Sequence, residues 1–141
     1  MPAAFEKQHH DSAEWSKNLF SEAVTVKGPG TFIFLVGIGA EDSSSPTPGA
    51  ILHQGDVYGQ SRLAFEKATR ALAKHGATLA DVVKITTYLL DTRELQNYHR
   101  ARSEAFQNSP TIPVHTLLVI NGLAWPGMQV EIDITAVIPD R

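Results

Sequence analysis

The sequence predicts an α+β fold, a mixed β-sheet with two helices on one face. Three observations predict it. Two segments, from about residue 57 to 75 and from 91 to about 106, carry apolar residues at helical spacing. Shorter runs of β-forming residues, bounded by turn signals, lie before, between and after them. The resulting order, β-β-α-β-α-β-β, invites crossover connections, and one helical layer on a sheet is the simplest way to bury both elements.

Each element has a local reason. Residues 1–17 are polar and weakly periodic, so they read as a mobile arm or a short helix attached to one domain spanning 1–141. Residues 21–27 read as a strand and Gly28-Pro29-Gly30 as a turn. Residues 31–36 are dense in β-formers and almost wholly apolar. They read as a second strand, hairpinned to the first and covered on both faces. Residues 41–49, rich in Ser and Pro, form a loop. Asp56 is a good N-cap for the first helix, whose face carries Ser61, Ala64, Phe65, Ala68, Ala71 and Leu72. Gly76 stops it. Residues 82–90 form a strand with Val83, Ile85, Thr87 and Leu89 on one side. Asp91 opens the second helix, with Leu95, Tyr98, Ala101, Ala105 and Phe106 as its stripe. Residues 115–120 and 129–138 are the closing strands; in the last, Val130, Ile132, Ile134, Ala136 and Ile138 face one way. Helices cover only one face of such a sheet, so the other predicts an oligomer.

Composition excludes several classes. The net charge is -3, and no basic stripe marks a nucleic-acid partner. No run is long and apolar enough for a membrane span, and residues 1–17 lack the apolar core of a signal peptide. The absence of cysteine removes thiolate metal sites and a thiol nucleophile, and a cytoplasmic location is the expectation. The histidines lack the paired spacing of zinc ligands, and neither a G-x-S-x-G elbow nor a phosphate loop is present.

Gly55-Asp56, Gln60, residues 68–76 and the run Asp81-Val82-Val83-Lys84-Ile85-Thr86-Thr87-Tyr88-Leu89-Leu90-Asp91 stand in a specific order. With Phe106, Pro113 and Val130-Glu131-Ile132 they resemble the Rid (YjgF-like) family over roughly residues 21–138. The resemblance implies a chorismate-mutase-like subunit. Three subunits would assemble as a homotrimer around a barrel-like core, with small-molecule clefts between them. It also implies hydrolysis of enamines or imines to ketones and ammonia, with no metal or organic cofactor.

The resemblance points to site residues, and several depart from the family pattern. An arginine two residues after the strand's proline grips the substrate carboxylate in the deaminases; here that position is His115. Histidine lacks the planar bidentate fork, which argues against a standard 2-imino acid deaminase. The usual tyrosine matches Phe20, the usual cysteine Leu117 and the usual asparagine Arg100. Glu131 matches the water-positioning acid, and a carboxylate can serve as general base when its pKa approaches the working pH. A buried acid satisfied by backbone amides is its plain structural reading. His115 reads either as an acid/base facing Glu131 across the cleft or as a satisfied interface histidine. Gly37, Ile38 and Gly39 could offer backbone amides to a ligand or form a simple turn. Trp125 could lid the cleft or merely pack. Arg100 could bind an anion or lie on the helix surface. The expected function is a hydrolase or deaminase acting on an enamine, imine or amide-like metabolite. The alternatives are a non-catalytic metabolite-binding protein and a chaperone-like protein or ribonuclease. The acidic balance disfavours the nucleic-acid version.

Overall fold

The computed structural model describes residues 4–11 and 13–141. The strands are β1 (Glu6–His10), β2 (Ala23–Lys27), β3 (Gly30–Phe34), β4 (Val82–Leu89), β5 (Val114–Val119) and β6 (Val130–Pro139). The helices are α1 (Val57–Ala73) and α2 (Leu95–Ala105). Short 3-10 turns occupy Glu14–Ser16, Leu79–Asp81 and Thr92–Glu94. Four strands make a mixed sheet in the order β3-β6-β4-β5; β4 and β5 are parallel and the other pairs antiparallel. The connection from β4 through α2 to its parallel neighbour β5 is the expected crossover.

Local chemistry sets the helix ends. The Asp56 carboxylate accepts the Gly59 amide at 2.9 Å and starts α1. Gly76, at φ 75°, lets the chain leave it. Asp91 accepts the Arg93 amide before α2, and a reciprocal capping box forms at Thr78–Asp81. One face of α1 (Ala64, Phe65, Ala68, Leu72) meets Ile85, Leu89, Ile132 and Ile134 of the sheet and Tyr98 and Phe106 of the second helical segment. Each such large apolar side chain contributes about 1.5–3 kcal/mol by burial.

Four expectations are corrected. Part of the N-terminal stretch read as an arm or short helix is a strand: Glu6–His10 pairs antiparallel with β2 in a separate two-stranded sheet. That ribbon is tied down by Lys7 Nζ donating to the Ala80 carbonyl at 2.8 Å and by His9 Nδ1 beside the Ile112 carbonyl at 2.7 Å. The β2–β3 hairpin does not form. β2 is taken by β1, and β3 pairs along β6 from Gly30↔Pro139 to Phe34↔Thr135. The residue turn at 28–30 carries the chain from one sheet to the other instead of folding it back. Residues 31–36 are covered on one side only: Ile33 is buried, while Phe32, Phe34 and Val36 are 60%, 76% and 81% exposed. Lastly, the β4–β6 register shifts between Val82 and Lys84. This bulge turns Val82, rather than Val83, into the core, where Val82 is 1% exposed.

Candidate functional site

The two faces of the four-stranded sheet separate the predicted site residues. Side chains of laterally paired residues share a face and alternate along a strand. His115 pairs with Ile85, and Ile85 with the core residue Ile134, so His115 lies on the helix side. Glu131 pairs with Tyr88, and Tyr88 with Leu118, so Glu131 lies on the open side. Within one chain the two proposed catalytic residues are therefore not brought together.

On the open side, Glu131 gathers with the end of the β3 segment. A Cβ on Gly37 would sit 3.0 Å from the Glu131 carboxylate and 3.2 Å from Asp133, so only glycine leaves room for both acids. Tyr88 Oη donates to Asp133 Oδ2 at 3.1 Å. Burial, reinforced by the charges of Asp133 and Glu41, holds the Glu131 carboxyl above its ordinary value. Glu41 Oε1 is itself buried without a hydrogen-bond partner. Ile38 uses its amide and carbonyl on Ile132, at 2.9 and 2.8 Å, so it has no amide to offer a ligand. Gly39 is boxed in: an added Cβ would meet Met128 at 2.6 Å and Glu41 at 2.7 Å.

On the helix side, His115 is held by the chain's own side chains. Its Nε2 lies 2.8 Å from Tyr98 Oη and 3.1 Å from Thr87 Oγ1, and those two hydroxyls are 2.6 Å apart. The imidazole also stacks on Tyr98, with centroids 5.7 Å apart. Burial, together with Arg102 and His99, pushes the His115 pKa down to about 4. A ring so depressed stays uncharged at neutral pH, with two hydroxyls on its Nε2.

The remaining candidates are dispersed. Leu117 shares the helix face with His115 and packs against the core. Phe20 meets Trp15 edge-on at 5.6 Å in the segment preceding β2. Trp125 lies across Gly49, where a Cβ would come within 2.5 Å of the indole, so the ring packs on the loop that precedes α1. Arg100 is exposed and stacks over Tyr58, its guanidinium 3.7 Å from the ring centroid. Sequence reasoning missed Thr87 and Tyr98 as partners of His115, and it missed Arg102, which is 3% exposed. The signal was available for Arg102: it follows Tyr98 by four residues, which puts a cation beside the apolar stripe of α2.

Fold and site define an α+β domain with helices on one face and an acidic carboxylate cluster on the open face. The family described as Endoribonuclease L-PSP matches residues 12–138, and the chain belongs to this YjgF/Rid family. The chain is 31% identical over 83 residues to the uncharacterized protein SCO2049 of Streptomyces coelicolor, a match covering 59% of this chain and 60% of that protein. It is 28% identical over 114 residues to the RutC family protein YjgH of Escherichia coli, with 79% of each chain covered. YyfB of Yersinia pestis, a conserved Rid-family protein of unknown function, shares the fold. Its TM-score is 0.80 at 21% identity, over 96% of this chain and 100% of that one.

Proposed function

We propose that this protein hydrolyses a carbon–nitrogen bond in a small enamine, imine or amide-like metabolite, and that it is not a standard 2-imino acid deaminase. The reaction takes place in a cleft completed by neighbouring copies in a homotrimer. The observation that carries this reading is the Glu131 carboxyl. It is partly buried, raised in pKa by burial and two acidic neighbours, and set against a glycine at the edge of an open face. A carboxylate so placed can take a proton from water as the oxygen bonds to the C=N carbon. In an imine the proton then passes to nitrogen to give a carbinolamine, the new hydroxyl gives its own proton to nitrogen as the C–N bond breaks, and ketone and ammonia leave. The open face, with Phe32, Phe34 and Val36 uncovered, supports an assembly in which a second copy supplies the other wall.

The test is ammonia release from a panel of enamines, imines and small amides. Glu131→Gln keeps the shape and removes the base, and turnover should fall roughly a hundredfold or more. Full turnover in that variant would overturn the assignment. One observation favours a second reading, a non-catalytic metabolite-binding protein. His115 is neutral and committed to Thr87 and Tyr98, which leaves Glu131 without that proton relay. That reading predicts thermal stabilisation by a ligand with no ammonia released.

A further inference from the structure

Arg102 presents a buried cation that no acidic side chain among the described residues pairs with. The residue is 3% exposed. Its Nη1 donates to the Leu19 carbonyl at 2.5 Å, but Nε and Nη2 are both buried and have no partner. These two nitrogens form one edge of the guanidinium, the edge that grips two oxygens side by side. One turn earlier on the same face of α2, His99 Nδ1 is also buried without a partner. The charges that bear on this group are wrong for a structural ion pair. Tyr98, His99 and His115 surround it electrostatically, and among the described residues Arg102 makes no ion pair. An unpartnered buried charge is strongly destabilising, and a fork left open to no acceptor compounds the cost.

We propose that the Nε–Nη2 edge of Arg102 is a binding site for a small carboxylate, supplied from α2 rather than from position 115. The carboxylate's two oxygens would accept from Nε and Nη2, with the His99 ring one turn away as a further donor. Leu19, which occupies the opposite edge of the guanidinium, belongs to the segment running over α2 towards β2, and Ser21 of that segment is bonded to the carbonyls of Ile112 and Pro113. The fork has no exposed area, so an anion enters only when chain covering it moves. This site lies with the His115 cluster, on the other face of the sheet from Glu131, and does not depend on the role given to Glu131.

Acetate and formate are the probes, with sodium chloride at matched ionic strength and inorganic phosphate as controls. Acetate should raise the Tm of the wild-type protein progressively with concentration, beyond the chloride control. Arg102→Lys keeps the charge but not the fork, and acetate should bind it roughly ten- to a hundredfold more weakly. Glu131→Gln should keep the acetate response in full, which separates this site from the hydrolytic one. A wild-type protein with no acetate-specific shift, a shift seen with phosphate alone, or an equal shift in Arg102→Lys each overturns the proposal. If the variant does not fold, a wild-type crystal grown in acetate decides. Two carboxylate oxygens on Nε and Nη2 support the site; water or an acceptor from a second copy on that edge overturns it.

Discussion

The helix face and the open face of the four-stranded sheet carry polar groups under opposite conditions. On the helix face, Thr87, Tyr98 and His115 close a triangle of hydrogen bonds inside one chain. On the open face, Glu131 sits near two other acids and shares the sheet face with the exposed Phe34. The first arrangement is internally complete and serves the fold, apart from the unneutralised Arg102 beside it. The second costs free energy as it stands, because acids cluster and large apolar groups face water. That difference assigns the proposed chemistry and assembly to the open face.

The largest effect that would break this contrast is on assembly. Phe34→Glu places a charge at the centre of the uncovered patch and leaves the helix face untouched. Sedimentation should then read monomer in place of the proposed trimer, while the far-ultraviolet circular dichroism stays that of the folded chain. A variant that still sediments with the wild type removes β3 from the interface.

A smaller effect sharpens the helix side. His115 has a pKa of about 4 in the folded chain and about 6.5 when unfolded. Between these values the unfolded state binds more protons, so acid favours unfolding. The stabilisation is fully present above about pH 6.5 and is lost as the pH falls towards 4; its size is on the order of 3 kcal/mol at most. His115→Gln should flatten the stability profile over that window. An unchanged profile would show that the imidazole is not held neutral. Tyr98→Phe removes the hydroxyl between Thr87 and His115 and should lower stability by about 1–3 kcal/mol, read from urea unfolding at pH 7.

What the sequence disclosed follows the same division. The stripes of α1 and α2 and the alternation of β6 are produced by burial inside one chain, so the pattern Val130, Ile132, Ile134, Ala136 was legible. β1 was not, because Glu6-Lys7-Gln8-His9-His10 has no apolar residue and is a strand only through backbone pairing with β2. The partner of β3 was equally hidden, since that pairing joins residues more than a hundred positions apart. Glu131 was legible as a candidate through family resemblance, and its acidic surroundings needed coordinates. His115 was read as a possible partner for Glu131 because one sequence does not tell which face of a sheet a strand presents to the helices.

The smallest expected effect falls on Arg100, which resemblance offered as an anion binder and which lies on neither face. It is exposed and stacks over Tyr58, and the Tyr58 hydroxyl is engaged by Glu104. Arg100→Ala should therefore lower the Tm slightly through the lost stacking and leave both turnover and the acetate response unchanged. Arg100 and Arg102 stand two residues apart on one helix and face different surroundings. A loss of acetate binding in Arg100→Ala with retention in Arg102→Lys would reverse the assignment between them, and would show that the anion approaches α2 from its solvent side.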